Sequence, residues 1–102
     1  MSGSLLLVED DSGLASMTRR FLVQAGYRVT LAASAEEALS LIQKNRPDLV
    51  ISDVQLPGIT GLKMCEILKS NSATASLPLI LVTILGKTQE KVQGLRMGLT
   101  TI

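Results

Sequence analysis

Three short runs of consecutive apolar residues constrain this chain more than any other feature, because each ends on an acid or a hydroxyl. Leu5-Leu6-Leu7-Val8 runs into Glu9-Asp10-Asp11, Leu49-Val50-Ile51 into Ser52-Asp53, and Leu79-Ile80-Leu81-Val82 into Thr83. A strand with one wet face alternates apolar and polar residues, whereas a strand covered by helices on both faces does not. The three runs therefore read as buried strands. Arg28-Val29-Thr30-Leu31 alternates instead, as an edge strand with one partly wet face would.

The segments between the runs carry helical periodicity. Ser12 to Ala25 places Leu14, Met17, Phe21 and Leu22 on one helical stripe, and Gly26 follows as a stop. Ser34 and Glu37 form a capping box, in which hydroxyl and carboxylate satisfy each other's free backbone N–H groups. The helix they open carries Ala38, Leu39 and Ile42 inward, and Pro47 blocks its continuation. A third helix is expected from about Gly61 to Ser70, with Leu62, Cys65 and Leu68 inward. A fourth is expected from about Thr88 to Met97, with Val92 and Leu95 inward and Gly98 behind it.

Strand and helix thus alternate, and right-handed crossovers turn that order into an α/β fold, a doubly wound parallel sheet with helices on both faces. In such sheets ligands sit at the carboxyl ends of the strands. Those ends carry Glu9, Asp10 and Asp11, then Asp53, then Thr83. Carboxylates brought together repel one another and stay ionised most easily around a cation. Oxygen ligands without His or Cys select a hard ion, Mg2+ before Zn2+. A carboxylate beside Mg2+ can act as a nucleophile toward phosphorus, while a neighbouring hydroxyl bonds a phosphoryl oxygen. Asp11, next to a helix start, reads as an N-cap rather than a metal ligand.

Composition excludes several other chemistries. The chain has 102 residues, 46% hydrophobic and 19% charged, which suits one small globular domain. A net charge of +1 with scattered Lys and Arg gives no basic patch, so direct nucleic-acid binding is not expected. There is no histidine, hence no His catalysis, no His metal ligand and no phosphohistidine. Cys65, the single cysteine, sits in a helical pattern as a small buried hydrophobe, and no intrachain disulfide can form. No secretory signal or membrane span is expected, since a span needs about 20 apolar residues. The expected location is cytoplasmic, with residues 1–4 a flexible leader and 5–102 the domain.

The ordered motifs resemble one family. Leu5-Leu-Leu-Val-Glu-Asp-Asp11 is similar to the first strand and acid cluster of response regulator receiver domains, the phosphoaccepting modules of two-component signalling. Ile51-Ser-Asp-Val-Gln-Leu-Pro-Gly-Ile-Thr-Gly61 is similar to their phosphoacceptor segment, and Leu79-Ile-Leu-Val-Thr83 to the strand ending in their switch Ser/Thr. The resemblance implies a flavodoxin-like sheet of order 2-1-3-4. It implies Asp53 as phosphoacceptor and Thr83 as switch hydroxyl. Mg2+ would be held by Glu9 (mostly through waters), Asp10, Asp53 and the backbone carbonyl of Gln55. Pro57 and Gly61 would shape the loop and start the third helix. The phosphoryl donor would be a sensor histidine kinase or a phosphotransfer protein, and the module would assist its own phosphorylation and dephosphorylation without being a turnover enzyme.

Two departures from the family pattern carry expectations. The position after the switch Thr is usually small, and Ile84 there is expected to slow phosphotransfer or dephosphorylation, which Ile84→Ala kinetics would reverse. Where the family continues G-A-D-D-Y-L-x-K-P, this chain reads Gly98-Leu99-Thr100-Thr101-Ile102. The family's lysine would fall past Ile102, and Lys87 and Lys91 do not replace it. One deleted base turns a coding sequence for G-A-D-D-Y-L into Gly-Leu-Thr-Thr-Ile, so a frameshift is expected, and sequencing the coding DNA checks it. The fifth strand and fifth helix are then expected to be missing, leaving the fourth strand an exposed edge and inviting a homodimer that covers the gap.

The alternatives are a degenerate or truncated receiver acting only in protein interaction, and an aspartate-nucleophile phosphatase. The phosphatase usually has a second acid two positions after its nucleophile, where this chain has Gln55. A flavin binder would need a Ser/Thr/Gly phosphate loop after the first strand, where this chain has acids.

Overall fold

A computed structural model describes residues 3–84 and 97–101. Side chains from Thr83 onward, the expected helix up to Arg96 and the end of the chain at Ile102 lie outside the described part. The elements are β1 (Ser4–Val8), α1 (Ser12–Gln24), β2 (Arg28–Ala32), α2 (Ala35–Lys44), β3 (Leu49–Asp53), α3 (Gly61–Ser70), β4 (Leu79–Ile84) and β5 (Met97–Thr101). The sheet runs β2-β1-β3-β4-β5. Pairings among the first four strands are parallel, with Leu6 beside Val50 and Ser52 beside Leu81. The expected order 2-1-3-4 holds, and β2 lies at the edge as its alternation predicts.

The expected absence of a fifth strand does not hold. Residues 97–101 pair antiparallel to β4, from Ile84 opposite Met97 to Ile80 opposite Thr101. Met97, placed at the end of a fourth helix by periodicity, is the first residue of that strand. The reason is the edge itself. A bare β4 would present a row of unpaired N–H and C=O groups. A chain doubling back can satisfy them without the helical crossover that a parallel strand requires.

Caps set the helix starts. The Asp11 carboxylate accepts the Leu14 N–H at 2.8 Å, so Asp11 is the N-cap of α1 as its position implies. The Ser34 hydroxyl accepts the Glu37 N–H at 3.1 Å, while the Glu37 carboxylate reaches one residue further back than expected, to the Ala33 N–H at 2.7 Å. Past α1, Gly26 takes a φ of 103°, open to glycine and strained for other residues.

Successive strand residues face opposite sides of the sheet. On one side Leu6, Val8, Val50, Leu79 and Leu81 pack with Ala38 and Ile42 of α2 and with Met64, Cys65 and Leu68 of α3 in one buried core. On the other side α1 lies over β1 and β2. Its expected inward stripe is only partly covered: Leu14 and Leu22 are half-buried, Met17 is 60% exposed and Phe21 71%. Ala15 is its buried residue. In α3, Leu62 is exposed rather than inward, and the fully buried Met64 takes its place beside Cys65 and Leu68. Gly61, the first residue of the helix, lies against the end of β3 and is buried on the same face as Met64, Cys65 and Leu68.

Candidate functional site

The acid cluster forms where β1 and β3 end side by side, with Val8 paired to Ser52. Glu9 follows Val8 immediately. Its N–H donates to the Ala32 carbonyl at 3.0 Å, which extends the β1–β2 ladder by one bond and fixes its backbone. Its Oε2 accepts the Asp11 N–H at 2.9 Å. Glu9 is buried and Asp10 is exposed. Asp53, the last residue of β3, is only 4% exposed. One carboxylate oxygen from each of Glu9, Asp10 and Asp53 falls within a span of 4.8 Å. Asp11 turns away to cap α1. The strand-end acids thus converge, and Asp11 caps the helix.

Three restraints hold Asp53 in place. Its Oδ1 accepts the Gln55 N–H at 3.0 Å. Its carbonyl accepts the Ser52 hydroxyl at 2.9 Å. Beyond it, the Val54 N–H donates to the Val82 carbonyl at 3.1 Å and ties the strand end to β4. The loop then returns on itself. Gly58 takes a φ of 72°, and the Gly61 N–H donates to the Val54 carbonyl at 2.9 Å. A methyl group on Gly61 would collide with the Asp53 carbonyl oxygen and lie 3.1 Å from the Val54 Cα, so glycine is required there. Thr60 caps α3 by accepting the Lys63 N–H at 3.1 Å. The sequence reading missed the Ser52 and Thr60 roles. For Ser52 a signal was present: a lone hydroxyl at the inward position of an otherwise apolar strand.

Thr83 follows Val82, the register partner of Asp53, so its backbone lies one step beyond the acid across the β3–β4 pair. The side chains of Thr83 and Ile84 fall outside the described residues, so the expectations placed on them are carried forward as such. The described Gln55 contact is through its N–H.

Three hard carboxylate oxygen donors so close together match what a small divalent cation such as Mg2+ takes, and they offer it no nitrogen or sulfur. Beside the cluster opens a cavity of about 320 Å³ on the α1 side of the sheet. Leu14, Met17, Ile51 and Val82 form its apolar wall, with Glu9 and Asp53 at one end.

Residues 5–102 match the response regulator receiver domain family. The chain belongs to that family. As a receiver, it is a signalling module whose general role is to accept a phosphoryl group in two-component systems. Receivers bind Mg2+ at an acidic pocket and interact with sensor histidine kinases or phosphotransfer proteins. Among its relatives, the transcriptional regulatory protein AfsQ1 of Streptomyces coelicolor is 41% identical over 95 residues, covering 93% of this chain and 41% of that protein. The response regulator Rre1 of Synechocystis is 38% identical over 96 residues, covering 93% of this chain and 42% of that one. The chain thus spans less than half the length of these relatives. Among solved structures, the chemotaxis response regulator CheY4 of Vibrio cholerae aligns with a TM-score of 0.75 at 33% identity, over 79% of this chain and 68% of that one. The signal receiver domain of a histidine kinase from Syntrophus aciditrophicus aligns at 0.78 and 34%, over 89% and 69%. Since AfsQ1 is named as a transcriptional regulator, the expectation of no nucleic-acid contact gains no support from the relatives. Among the described residues no helix is long and apolar enough to cross a membrane.

Proposed function

We propose that Asp53 is the residue that takes the phosphoryl group, with Glu9, Asp10, Asp53 and the Gln55 carbonyl holding Mg2+ and Thr83 as the switch hydroxyl. The observation that carries this reading is the meeting of the Glu9, Asp10 and Asp53 carboxylates at the end of β3, with Asp53 almost wholly buried. A carboxylate oxygen of Asp53 forms the new bond to phosphorus as the donor's bond breaks and its electron pair stays with the donor. The Gln55 N–H on Oδ1 aims the carboxylate, and the Ser52 and Gly61 contacts keep its backbone from yielding. Bound Mg2+ would neutralise charge developing on the phosphoryl oxygens. The Glu9 carboxylate, held by the Asp11 N–H, keeps its orientation while the charges around it change. Thr83, whose backbone lies one residue past the Asp53 partner on β4, would answer a group added at Asp53 in this reading. The donor in this reading is a sensor histidine kinase or phosphotransfer protein in the cytoplasm, and the domain, residues 5–102, assists its own dephosphorylation.

Intact mass after incubation with Mg2+ and a small phosphodonor such as acetyl phosphate tests this. The expected result is a gain of one phosphoryl group that is lost in Asp53→Asn and lost on adding EDTA. A folded sample that gains nothing, or an Asp53→Asn variant that still gains, overturns the reading.

A further inference from the structure

We propose that Ser52 is a positioning residue for the acceptor, acting through the peptide that joins Asp53 to Val54; the inference rests on the reading of Asp53 given above. Ser52 is fully buried, with Val8 and Leu81 as its neighbours across the sheet, themselves 0% and 2% exposed. A hydroxyl in such surroundings costs stability unless it is hydrogen-bonded. Its hydrogen bond goes to the Asp53 carbonyl, one residue ahead, at 2.9 Å. Packing alone does not call for it, since an apolar residue would suit this apolar setting better.

The consequence follows from peptide planarity. The Asp53 carbonyl and the Val54 N–H lie in one rigid plane and point in opposite directions within it. The Val54 N–H is bonded to the Val82 carbonyl at 3.1 Å. With Ser52 on the carbonyl, both ends of the plane are tied, and Gly61 lies against the same carbonyl oxygen. The next residue but one, Gln55, supplies the N–H that holds Oδ1 of the acceptor. The direction in which the Asp53 carboxylate points is therefore set by a plane that the Ser52 hydroxyl locks. Without the hydroxyl the plane can rock about its remaining bond, the Gln55 N–H moves with it, and the carboxylate loses alignment with an incoming phosphorus. Small misplacements of a reacting group slow reactions severalfold or more.

The test compares wild type with Ser52→Ala and Ser52→Thr. Ala removes the hydroxyl without adding bulk, and Thr keeps it on a residue that strands accept readily. Phosphorylation by acetyl phosphate with saturating Mg2+ is followed by intact mass, and the Gln55 amide resonance by NMR. Ser52→Ala is expected to phosphorylate roughly three- to tenfold more slowly at saturating phosphodonor, with half-saturation unchanged within roughly twofold. Its Gln55 amide resonance shifts to the position of a weaker hydrogen bond. Ser52→Thr returns both readings toward wild type. A Ser52→Ala rate within twofold of wild type overturns the proposal, as does a rate loss that Ser52→Thr fails to rescue. If wild type takes no phosphoryl group, the reading of Asp53 fails, and the amide resonance still decides this proposal: an unmoved Gln55 signal in Ser52→Ala sinks it.

Discussion

The two faces of the sheet are made from the same apolar runs and end up differently. On the α2–α3 face, the inward residues Val8, Val50 and Met64 are fully buried, and Leu6, Leu68 and Leu79 nearly so. On the α1 face, Ile51 and Val82 are half-buried, Met17 and Phe21 stand in the open, and the 320 Å³ cavity lies between helix and strands. The closed face sets the fold, because each residue there has partners on two helices and the sheet. The open face leaves α1 to be held by its cap, by Ala15 and by the half-buried Leu14 and Leu22. Both faces meet at Asp53, so the acceptor has a rigid backing on one side and an open approach on the other.

Substitutions can break or sharpen this contrast. Met64→Ala on the closed face leaves a cavity among residues that cannot collapse, and about 2–5 kcal/mol of unfolding free energy is expected to be lost in a denaturant titration. A loss under 1 kcal/mol would mean the closed face is loosely packed. Gly61→Ala forces a methyl group against the Asp53 carbonyl, with an expected cost of about 1–3 kcal/mol. It should also slow phosphorylation; unchanged stability and rate would show that the α3 start does not bear on the acceptor. Asp11→Ala removes the cap of α1, and thermal unfolding should report a loss of about 0.5–2 kcal/mol. Phe21→Ser on the open face is expected to change stability by less than about 0.5 kcal/mol, because little is buried there. A Phe21 effect as large as that of Met64 would erase the distinction between the faces.

The β-α alternation and the strand order were legible because both-faces-buried strands need continuous apolar runs, and three such runs stand in this chain beside one alternating edge segment. The acid cluster was legible because strand ends converge in a doubly wound sheet, so Glu9, Asp10 and Asp53 had to meet once the strands were placed. What stayed hidden depends on contacts between backbones or on coverage. The helix pattern over Gly61–Ser70 admits two phases, one through Leu62 and one through Met64, and the structure takes the second, with Gly61 on the same buried face. Met17 and Phe21 announce an apolar stripe, but a stripe does not say what covers it. The antiparallel pairing of β5 with the β4 edge is a matter of strand pairing, which periodicity does not register. The Ser52 bond was hidden because a hydroxyl inside an apolar strand has several acceptors within reach, and the choice among them is made by the strand's termination at Asp53.

The Gly61–Val54 hydrogen bond closes the segment between them into a ring whose two ends are tied together at the acceptor. Inside the ring, Gln55, Pro57 and Gly58 are exposed. The Gln55 and Pro57 side chains can change without breaking this closure, since the Gly61–Val54 bond joins main-chain groups, whereas Gly58, with a φ of 72°, is held to glycine. The ring thus serves the acceptor through its main chain, the Gln55 N–H on Oδ1, and leaves its exposed side chains to solvent.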